Sequence, residues 1–317
     1  MSVSGQVVRE LIEAFAPRRF AMEGDKTGLQ VGRLDRPVAR ILVTLDTTEE
    51  VVDEAIAAEV DLIISHHAVI FRSLKDLRTD QPKGRLLEKL LKHDIAVYVP
   101  HTAMDITRGG INDRLAALFE LQDVEFLRET GRDESLLLQP APDSAGVAAV
   151  CGERALRRTL KAAEKRGEEL CAVRLETHAE SRGIGRVGKL AAPTTLGELA
   201  ARALTVLDAP FLRRIGEADR EVRKVALLCG DGNRFLRDAS FKGADVLITG
   251  DVYYHTALEA KSLGIALLDP GHNATERLVG AIWQEALEAG LAERKASGVE
   301  VLVSRVSTEP FALEARA

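Results

Sequence analysis

Short apolar runs alternate with segments of helical periodicity through the first part of the chain. The runs Ile41–Leu45, Asp61–Ser65 and Ile95–Val99 have the length and composition of buried strands, and a helical pattern over about Gly84–His93 separates two of them. Thr48 and the two glutamates after it predict a helix that begins behind the first run, because an acidic first turn suits the positive end of a helix dipole.

The same rhythm returns near the end of the chain. Its predicted strands are Lys224–Leu228, Asp245–Ile248, Ile265–Leu268 and Glu300–Val306. Its predicted helices are Tyr253–Ser262 and a long helix that ends near Lys295. This β-α-β-α order predicts an α/β fold with a largely parallel sheet flanked by helices.

Residues 131–218 have a different pattern, with a helix-like segment Glu153–Glu169 and a strand-like segment Leu170–Leu175. The two flanks share one alternating pattern, so we predict a discontinuous α/β domain made of residues 1–130 and 219–317. A second α/β domain, residues 131–218, is then inserted in the middle of the chain.

The composition is that of an ordinary globular protein, with 46% hydrophobic and 29% charged residues. The net charge of −6 argues against strong nucleic-acid binding, because such binding comes from neutralising phosphates with Lys and Arg. The three cysteines have no CxxC spacing, which argues against a disulfide framework. The N-terminal segment has an amphipathic pattern rather than that of a signal peptide, and no apolar run is long enough to span a membrane. We therefore expect a cytoplasmic protein without membrane partners.

Three motifs place histidine and carboxylate side chains directly after predicted strands. They are His66-His67, His101-x-x-x-Asp105 and His272-x-x-x-Glu276. In parallel sheets, ligands bind beyond the carboxyl ends of the strands. Three such motifs at that edge therefore predict one shared site.

Each motif has a second interpretation when it is taken alone. His66-His67 could close a strand with polar residues, and His101 could be a turn residue. The third motif contains Asn273-x-x-Glu276, which resembles a capping box in which the glutamate reaches back to the backbone. A glutamate used as a cap would not be free to bind metal. The combination of all three motifs favours the metal site.

The combined set predicts a dinuclear metal centre. Its predicted ligands are His66, His67, Asp105, His272 and Glu276. Mixed imidazole and carboxylate ligands suit divalent Zn, Fe, Mn or Co better than Ca or Mg. A bridging carboxylate would hold two such ions roughly 3.5–4 Å apart and generate hydroxide near neutral pH. His101 is the predicted proton shuttle, because an imidazole titrates near neutral pH.

Two further features carry weaker signals. Asp251-x-x-x-His255 follows a predicted strand, and helix capping by Asp251 is favoured over a role behind the metal site or in substrate binding. The turn Cys229–Asn233 contains two glycines, but it lacks both the Walker lysine and a full GxGxxG motif. A tight turn is therefore favoured over a phosphate-binding loop.

Three segments resemble one known family. They read DLIISHHAVIF (61–71), VPHTAMDI (99–106) and GADVLITGDVYYHTALEAKSLGIALLDPGHNATE (243–276). In this ordered combination the chain resembles the Nif-three-like proteins, which are widely labelled GTP cyclohydrolase 1 type 2 homologues. The resemblance covers both ends of the chain well and the middle poorly.

The resemblance implies two metal ions per chain that share Glu276 as a ligand. It implies that His67 and Asp105 complete the ligands of one ion, and that His66 and His272 complete those of the other. It also implies a ring-shaped homohexamer whose metal sites face an internal cavity.

Two functions are compatible with such a site. The first is a metal-dependent hydrolase that acts on a nucleotide or a related small molecule through a metal-bound hydroxide. The second is a metal-binding scaffold or regulatory protein without catalysis. An open coordination position would favour the hydrolase, because structural metal sites are closed.

Overall fold

The structure is a computed structural model that describes residues 2–138, 148–151, 161–162, 164–166, 176–296, 298–312 and 314. The helices are α1 Gly5–Phe15, α2 Glu49–Ala57, α3 Pro82–Lys92, α4 Thr102–Ile106, α5 Ile111–Leu118, α6 Leu196–Val206, α7 Leu236–Phe241, α8 Tyr254–Leu263, α9 His272–Glu276 and α10 Val279–Glu293. The strands are β1 Val3–Ser4, β2 Gly28–Val31, β3 Pro37–Val38, β4 Arg40–Thr44, β5 Leu62–Ser65, β6 Ala96–Val99, β7 Gln122–Leu138, β8 Ala148–Cys151, β9 Glu176–Thr195, β10 Arg213–Ile215, β11 Glu221–Asp231, β12 Val246–Gly250, β13 Ala266–Asp269 and β14 Glu300–Val303.

The mixed α/β fold expected from the sequence is confirmed. Every strand predicted outside the middle region overlaps an observed strand. The cap predicted at Thr48 is also present, because its side chain accepts a hydrogen bond from the backbone N–H of Val51. The long helix expected up to about Lys295 is instead divided into α9 and α10, which Arg277 and Leu278 separate. None of the helices in the described ranges is long and apolar enough to cross a membrane.

The chain forms two compact units. The larger unit contains Met1–Arg128 and Ile184–Ala317, and the smaller unit contains Glu129–Gly183. Within the smaller unit, β7 and β8 pair antiparallel. The predicted helix Glu153–Glu169 and strand Leu170–Leu175 lie mostly outside the described residues.

The predicted insert of 131–218 extends further than this smaller unit. Its last part, from Ile184 onward, belongs to the larger unit. There β9 pairs antiparallel with β11, and Leu196 and Leu199 of α6 are buried in the core of the larger unit. The change in sequence pattern near residue 218 therefore does not coincide with the structural boundary.

The first sheet of the larger unit has five strands in the order β14-β4-β5-β6-β2. Its first four strands are parallel, and β2 pairs antiparallel with β6 at the edge. Successive residues of β4 point to opposite faces. Ile41 and Val43 are buried in a central core, and Leu42 packs in an outer core with residues of α2 and α3.

The second sheet of the larger unit contains strands in the order β10-β13-β12-β11-β9-β7. Strands β11, β12 and β13 are parallel, whereas β10 and β9 pair antiparallel with their neighbours. Val225 and Leu227 are buried in the central core, and Ala226 and Leu228 pack with residues of α7 and α8.

The central core joins the inner faces of both sheets. It contains Ile64 of the first sheet, Ile248 of the second, and Ile12 and Trp283 from helices α1 and α10. The sequence analysis expected a single sheet, and this expectation was wrong. Hydrophobic periodicity predicts where strands occur, but it does not indicate which strands pair with one another.

Candidate metal centre

The histidine-bearing motifs meet at the carboxyl ends of strands from both sheets. His66 and His67 follow β5, and Asp105 lies in the short helix α4 after β6. His272 and Glu276 are the first and last residues of α9, which follows β13 of the second sheet. The structure thus brings all the predicted metal ligands together in one cluster.

Glu276 lies at the centre of this cluster and is 4% exposed. Its Oε2 lies 2.9 Å from both His67 Nε2 and His272 Nε2, and these two nitrogens are 3.3 Å apart. Its Oε1 lies 3.7 Å from His66 Nε2. The two carboxylate oxygens therefore face different histidines, which is the arrangement expected of a carboxylate that bridges two ions.

The capping interpretation of Glu276 does not hold in the structure. Helix α9 begins after Gly271, and no side chain caps its first turn. Glu276 is the last residue of that helix, and its carboxylate faces histidines rather than the backbone of Asn273. Its oxygens are therefore available as ligands.

His66 and Asp105 form the buried part of the cluster. His66 Nε2 lies 3.7 Å from Asp105 Oδ1, and both side chains are buried. This separation is too long for a hydrogen bond. It is close to the spacing of two ligands on a tetrahedral ion, since bonds of about 2.0–2.2 Å place ligand atoms roughly 3.3–3.6 Å apart.

His101 lies beside this buried part. Its ring centroid is 5.4 Å from that of His66 and 5.7 Å from that of His67. The three imidazoles offer ligand nitrogens that lie within 4.8 Å of one another. The backbone of His101 has a φ of 42°, an uncommon conformation for a residue other than glycine. An imidazole in this place can exchange a proton with a molecule held between the histidines.

Three of the clustered histidines have Nδ1 held by a carboxylate. The pairs are His67 Nδ1 with Asp46 Oδ1 at 2.7 Å, His272 Nδ1 with Asp251 Oδ2 at 2.7 Å, and His101 Nδ1 with Asp25 Oδ1 at 2.5 Å. Metal-binding histidines commonly donate their second ring N–H to a carboxylate, which fixes both the tautomer and the ring orientation. In all three pairs, Nε2 is the nitrogen left to act in the site.

Of these three carboxylates, the sequence analysis identified only Asp251, which is not a helix cap because α8 begins after Tyr253. Asp46 follows β4, so the rule that identified the histidines, a polar residue directly after a strand, also applies to it. Asp25 is 76 residues away from His101 along the chain, and no local pattern indicates their contact.

The other weak candidates lie outside the cluster. His255 is exposed, and its ring packs edge-on against Tyr254. In the turn Cys229–Asn233, Gly230 has a φ of 61°, so the tight turn favoured by the sequence is observed. Asp231 of this turn accepts a hydrogen bond of 2.6 Å from the hydroxyl of Tyr253.

Asp105 is held from behind by a buried network that the sequence did not indicate. The thiol of Cys229 donates to Asp105 Oδ1 over 3.4 Å, and Asn112 Nδ2 donates to the carbonyl of Asp105 over 3.0 Å. The amide of Cys229 in turn donates to Asn112 Oδ1 over 3.0 Å. The network connects α4 on the side of the first sheet with the end of β11 in the second.

The two central carboxylates have opposite pKa shifts. Burial raises the pKa of Asp105, His66 offsets only part of this effect, and the charge of Glu276 raises it further. Burial also acts to raise the pKa of Glu276, but His66, His272 and His67 together outweigh it and hold that pKa well below its ordinary value. A bound cation would favour the ionised form of both carboxylates.

The histidines of the cluster respond to these carboxylates. Burial lowers the pKa of His67, but hydrogen bonds to Asp46 and Glu276 and the charges of both outweigh it and raise the pKa to about 10. Burial also lowers the pKa of His272, but Glu276 and Asp251 outweigh it and raise that pKa to about 9. In the absence of metal, both imidazoles are therefore protonated near neutral pH and supply the positive charge among the acids.

The donor set fits a pair of divalent transition-metal ions. Both ring nitrogens of the buried His66 lack a hydrogen-bond partner among the residues that the structure describes. A buried polar atom without a partner costs free energy, which an ion bound at Nε2 would offset. Imidazole and carboxylate donors in this combination suit Zn, Fe, Mn or Co.

The geometry groups these ligands differently from the family resemblance. His67 and His272 share Oε2 of Glu276, whereas His66 lies with Asp105 on the side of Oε1. The resemblance instead implies that His67 belongs with Asp105 and His66 with His272. The reason lies in the strand end, where adjacent side chains diverge. The side chain of His66 is 0% exposed, and that of His67 is 27% exposed.

An open pocket of about 830 Å³ adjoins the His67 and His272 side of the cluster. Its lining includes Lys83, Phe211, Arg213 and the C-terminal residues Thr308–Ala312. Pockets of this volume are typical of small-molecule sites. One face of the cluster is thus accessible to a ligand, while His66 and Asp105 are enclosed.

The sequence matches the family model of Duf34/NIF3 (NGG1p interacting factor 3) over residues 3–310. It is 38% identical to a Bacillus subtilis (strain 168) protein named GTP cyclohydrolase 1 type 2 homolog, over 98% of each chain. A Streptococcus pneumoniae protein of the same name is 37% identical over 96% of this chain and 97% of its own. Among solved structures, a Bacillus cereus protein related to NIF3 is similar with a TM-score of 0.86 and 34% identity, over 99% of each chain. A Staphylococcus aureus protein is similar with a TM-score of 0.83 and 26% identity, over 98% of this chain and 99% of its own.

Proposed function

Because this chain belongs to the Duf34/NIF3 family, we propose that it is a dinuclear metal-dependent hydrolase that acts on a nucleotide or a related small molecule. The proposed ligands are His66, His67, Asp105, His272 and Glu276. Relatives over nearly the whole chain carry the name GTP cyclohydrolase 1 type 2 homolog, which makes purine nucleotides the first compounds to test.

The position of Glu276 is the observation that carries this proposal. Its Oε2 is 2.9 Å from two histidine nitrogens, and its Oε1 faces a third histidine and lies on the side of Asp105. A buried glutamate surrounded by imidazoles does not serve packing, since burying a charge is costly unless it is paired. The arrangement is instead suited to bridging two cations.

Two divalent ions held by these residues would lower the pKa of a water molecule and would stabilise negative charge on a phosphoryl or carbonyl oxygen. The chain orients the ligating imidazoles through Asp46 and Asp251. Burial lowers the pKa of His101, but the hydrogen bond to Asp25 and the charges of Asp105 and Asp25 outweigh it and raise that pKa. The raised pKa favours the protonated form of His101, whose Nε2 can donate a proton to a leaving group.

The pocket beside the ions supports a small substrate with a ring and an anionic group. Phe211 and Phe311 supply aromatic surface in its lining, and Lys83 and Arg213 supply positive charge. Arg213 also pairs with Asp269 at the base of the pocket. A nucleotide has the matching chemistry, because its base stacks on aromatic rings and its phosphates bind Arg and Lys. The open pocket favours catalysis over a closed structural site.

The proposal is tested by comparing metal content and hydrolysis in Glu276→Gln and in wild type. The matched control is Glu288→Gln, which changes an exposed glutamate of α10. We expect about two ions per chain in wild type and in the control, and loss of bound metal with Glu276→Gln. Metal content is measured by mass spectrometry, and hydrolysis is followed by product release from a panel of nucleotides.

The same measurement separates the two functions. A wild type that binds two ions and hydrolyses a compound of the panel in a metal-dependent way supports the hydrolase. A wild type that binds two ions but hydrolyses none of them supports a scaffold or regulatory protein instead. If wild type takes up no metal, even after incubation with divalent ions, both the hydrolase and the metal-binding scaffold are contradicted.

The assembly and location expected from the sequence stay predictions. The resemblance implies a homohexamer, which light scattering of the purified chain would test directly. A cytoplasmic location is tested by fractionating cells that produce the protein. The partner proposed here is a small molecule, because the net charge of −6 does not favour strong nucleic-acid binding.

A further inference from the structure

The C-terminal residues Thr308–Ala312, called here the C-terminal segment, form part of the wall of the pocket beside the metal centre. They follow β14 as irregular chain. Phe311 of this segment is 68% exposed, so its ring is not fixed by burial in the core. Thr308 connects the segment to the metal centre through a hydrogen bond to Asp46.

The hydroxyl of Thr308 donates to Asp46 Oδ2 over 2.6 Å. The other oxygen of that carboxylate, Oδ1, lies 2.7 Å from His67 Nδ1, and His67 Nε2 lies 2.9 Å from Glu276 Oε2. Asp46 is thus held at both oxygens, by the ligand imidazole on one side and by the C-terminal segment on the other. A carboxylate held in this way cannot rotate without breaking a hydrogen bond.

The same three-residue arrangement occurs a second time in the site. Asp25 Oδ1 lies 2.5 Å from His101 Nδ1, and Asp25 Oδ2 accepts hydrogen bonds from the hydroxyl and the backbone N–H of Thr102. In both series of hydrogen bonds, a threonine hydroxyl holds the carboxylate, and the carboxylate holds the histidine. The two series differ in where the threonine lies, because Thr102 begins the buried helix α4 and Thr308 belongs to the C-terminal segment.

We propose that Thr308 is a positioning residue of the metal centre, through which the placement of the C-terminal segment sets the orientation of His67. This inference rests on the proposed function, since it requires His67 to be a metal ligand. It adds that one ligand is oriented by a part of the chain that also forms the substrate pocket. The ion that His67 would hold is the one affected, and the other ion would not be.

The inference is tested with Thr308→Val, which removes the hydroxyl and retains the shape of the side chain. Co²⁺ is the probe, because its visible absorption spectrum reports the geometry of its ligands and its titration gives the affinity of each ion. We expect Thr308→Val to lower the affinity for one of the two Co²⁺ ions by about 3–10-fold and to change the absorption spectrum of that ion. This is less than the 10–100-fold that is typical for the direct partner of a ligand, because Thr308 acts one hydrogen bond further away.

Two further variants make the result specific. Thr308→Ser retains a hydroxyl and is expected to restore the wild-type affinity and spectrum. Thr205→Val removes another threonine hydroxyl, which donates to the carbonyl of Ala201 on the exposed face of α6, and is expected to change neither. Thermal unfolding of the metal-free proteins shows that each variant is folded before the titration.

Wild-type affinity and spectrum for both ions in a folded Thr308→Val protein overturn the inference and leave the proposed function intact. A lower Co²⁺ affinity that Thr308→Ser does not restore also overturns the inference, because loss of the hydroxyl would then not be the cause of the lower affinity. Absence of hydrolysis in all variants overturns the proposed activity, but the Co²⁺ titration still decides whether Thr308 positions His67. If wild type binds no Co²⁺ at all, both proposals fail together.

Discussion

A Cβ atom on Gly230 would lie 2.2 Å from Oε1 of Glu276. Gly230 also has a φ of 61°, in the left-handed region that favours glycine. Its amide donates to the hydroxyl of Thr275 over 2.9 Å, and its carbonyl accepts from the hydroxyl of Thr249 over 2.8 Å. The end of β11 is therefore fixed against the carboxylate of Glu276, with no room for a methyl group between them.

We expect Gly230→Ala to displace Glu276 and to abolish binding of both metal ions. The new methyl group would overlap the carboxylate oxygen, and hydrogen bonds to both neighbouring threonines prevent the turn from moving away. Metal content by mass spectrometry is the primary measurement, and denaturant unfolding gives the accompanying loss of stability.

Gly243→Ala is the matched control for this variant. Gly243 has a φ of 69°, and a Cβ atom there would meet nothing within 4 Å. The Gly243→Ala variant therefore has the strain of a left-handed alanine, about 1–2 kcal/mol, without a clash. We expect this control to lose stability and keep its metal. A Gly230→Ala protein that retains two ions would contradict the central position of Glu276.

Single ligand variants are expected to remove different ions. Asp105→Asn and His66→Ala should each reduce the metal content from about two ions to about one, because both residues belong to the Oε1 side of Glu276. Combining these two changes should cause no further loss, since residues that act as a unit are not additive. Combining Asp105→Asn with His67→Ala should remove both ions, because His67 lies on the Oε2 side.

The opposite grouping gives a different outcome. If the ions divide as the family resemblance implies, Asp105→Asn and His67→Ala form the pair that is not additive. Mass spectrometry of the two double variants distinguishes the groupings without any assay of activity. A single ion left in the Asp105→Asn, His67→Ala protein would show that the grouping by distance is wrong.

The clustering of the proposed ligands was predictable from sequence because one local rule places these residues. Parallel strands separated by helices bring their carboxyl ends to the same region, and His67, Asp105 and His272 each follow such a strand closely. Asp46 obeys the same rule after β4 and was missed only because no histidine accompanies it in the sequence. The rule holds even though the strands belong to two sheets, because both sheets end at the site.

The partners of the clustered residues, the number of sheets and the boundary between the two units depend on contacts that local patterns do not encode. Asp25 reaches His101 across 76 residues, and Cys229 reaches Asp105 across 124 residues. The number of sheets depends on strand pairing, and hydrophobic periodicity carries no information about partners. The boundary at Gly183 was missed for the same reason, since β9 continues as an ordinary strand across it.

Metal uptake is expected to release protons. His67 and His272 have pKa values of about 10 and about 9, because Asp46, Asp251 and Glu276 outweigh the effect of burial. Each imidazole must lose a proton from Nε2 before it binds an ion, so about two protons leave at pH 7.5. Affinity therefore rises with pH and falls as the solution becomes more acidic.

Calorimetric titration of Zn²⁺ in two buffers with different ionisation enthalpies measures this release. The difference between the two apparent enthalpies gives the number of protons transferred to the buffer. His272→Ala should reduce that number by about two, because the ion that displaces the protons of both His67 and His272 is then lost. Equal enthalpies in both buffers would mean that the imidazoles are neutral before the metal binds.

His101 is expected to affect turnover rather than metal content. Its Nδ1 is held by Asp25, and its pKa is raised because the hydrogen bond to Asp25 and the charges of Asp105 and Asp25 outweigh burial. As a general acid it acts in the protonated form, so the rate should fall as pH rises through that raised pKa. We expect His101→Gln to lower kcat by about 10²–10⁴-fold, the usual contribution of proton transfer, with both ions retained.

The control is His255→Gln, which changes an exposed histidine outside the cluster and should leave kcat unchanged. Loss of an ion in His101→Gln would instead identify His101 as a ligand, in line with its nitrogen lying within 4.8 Å of those of His66 and His67.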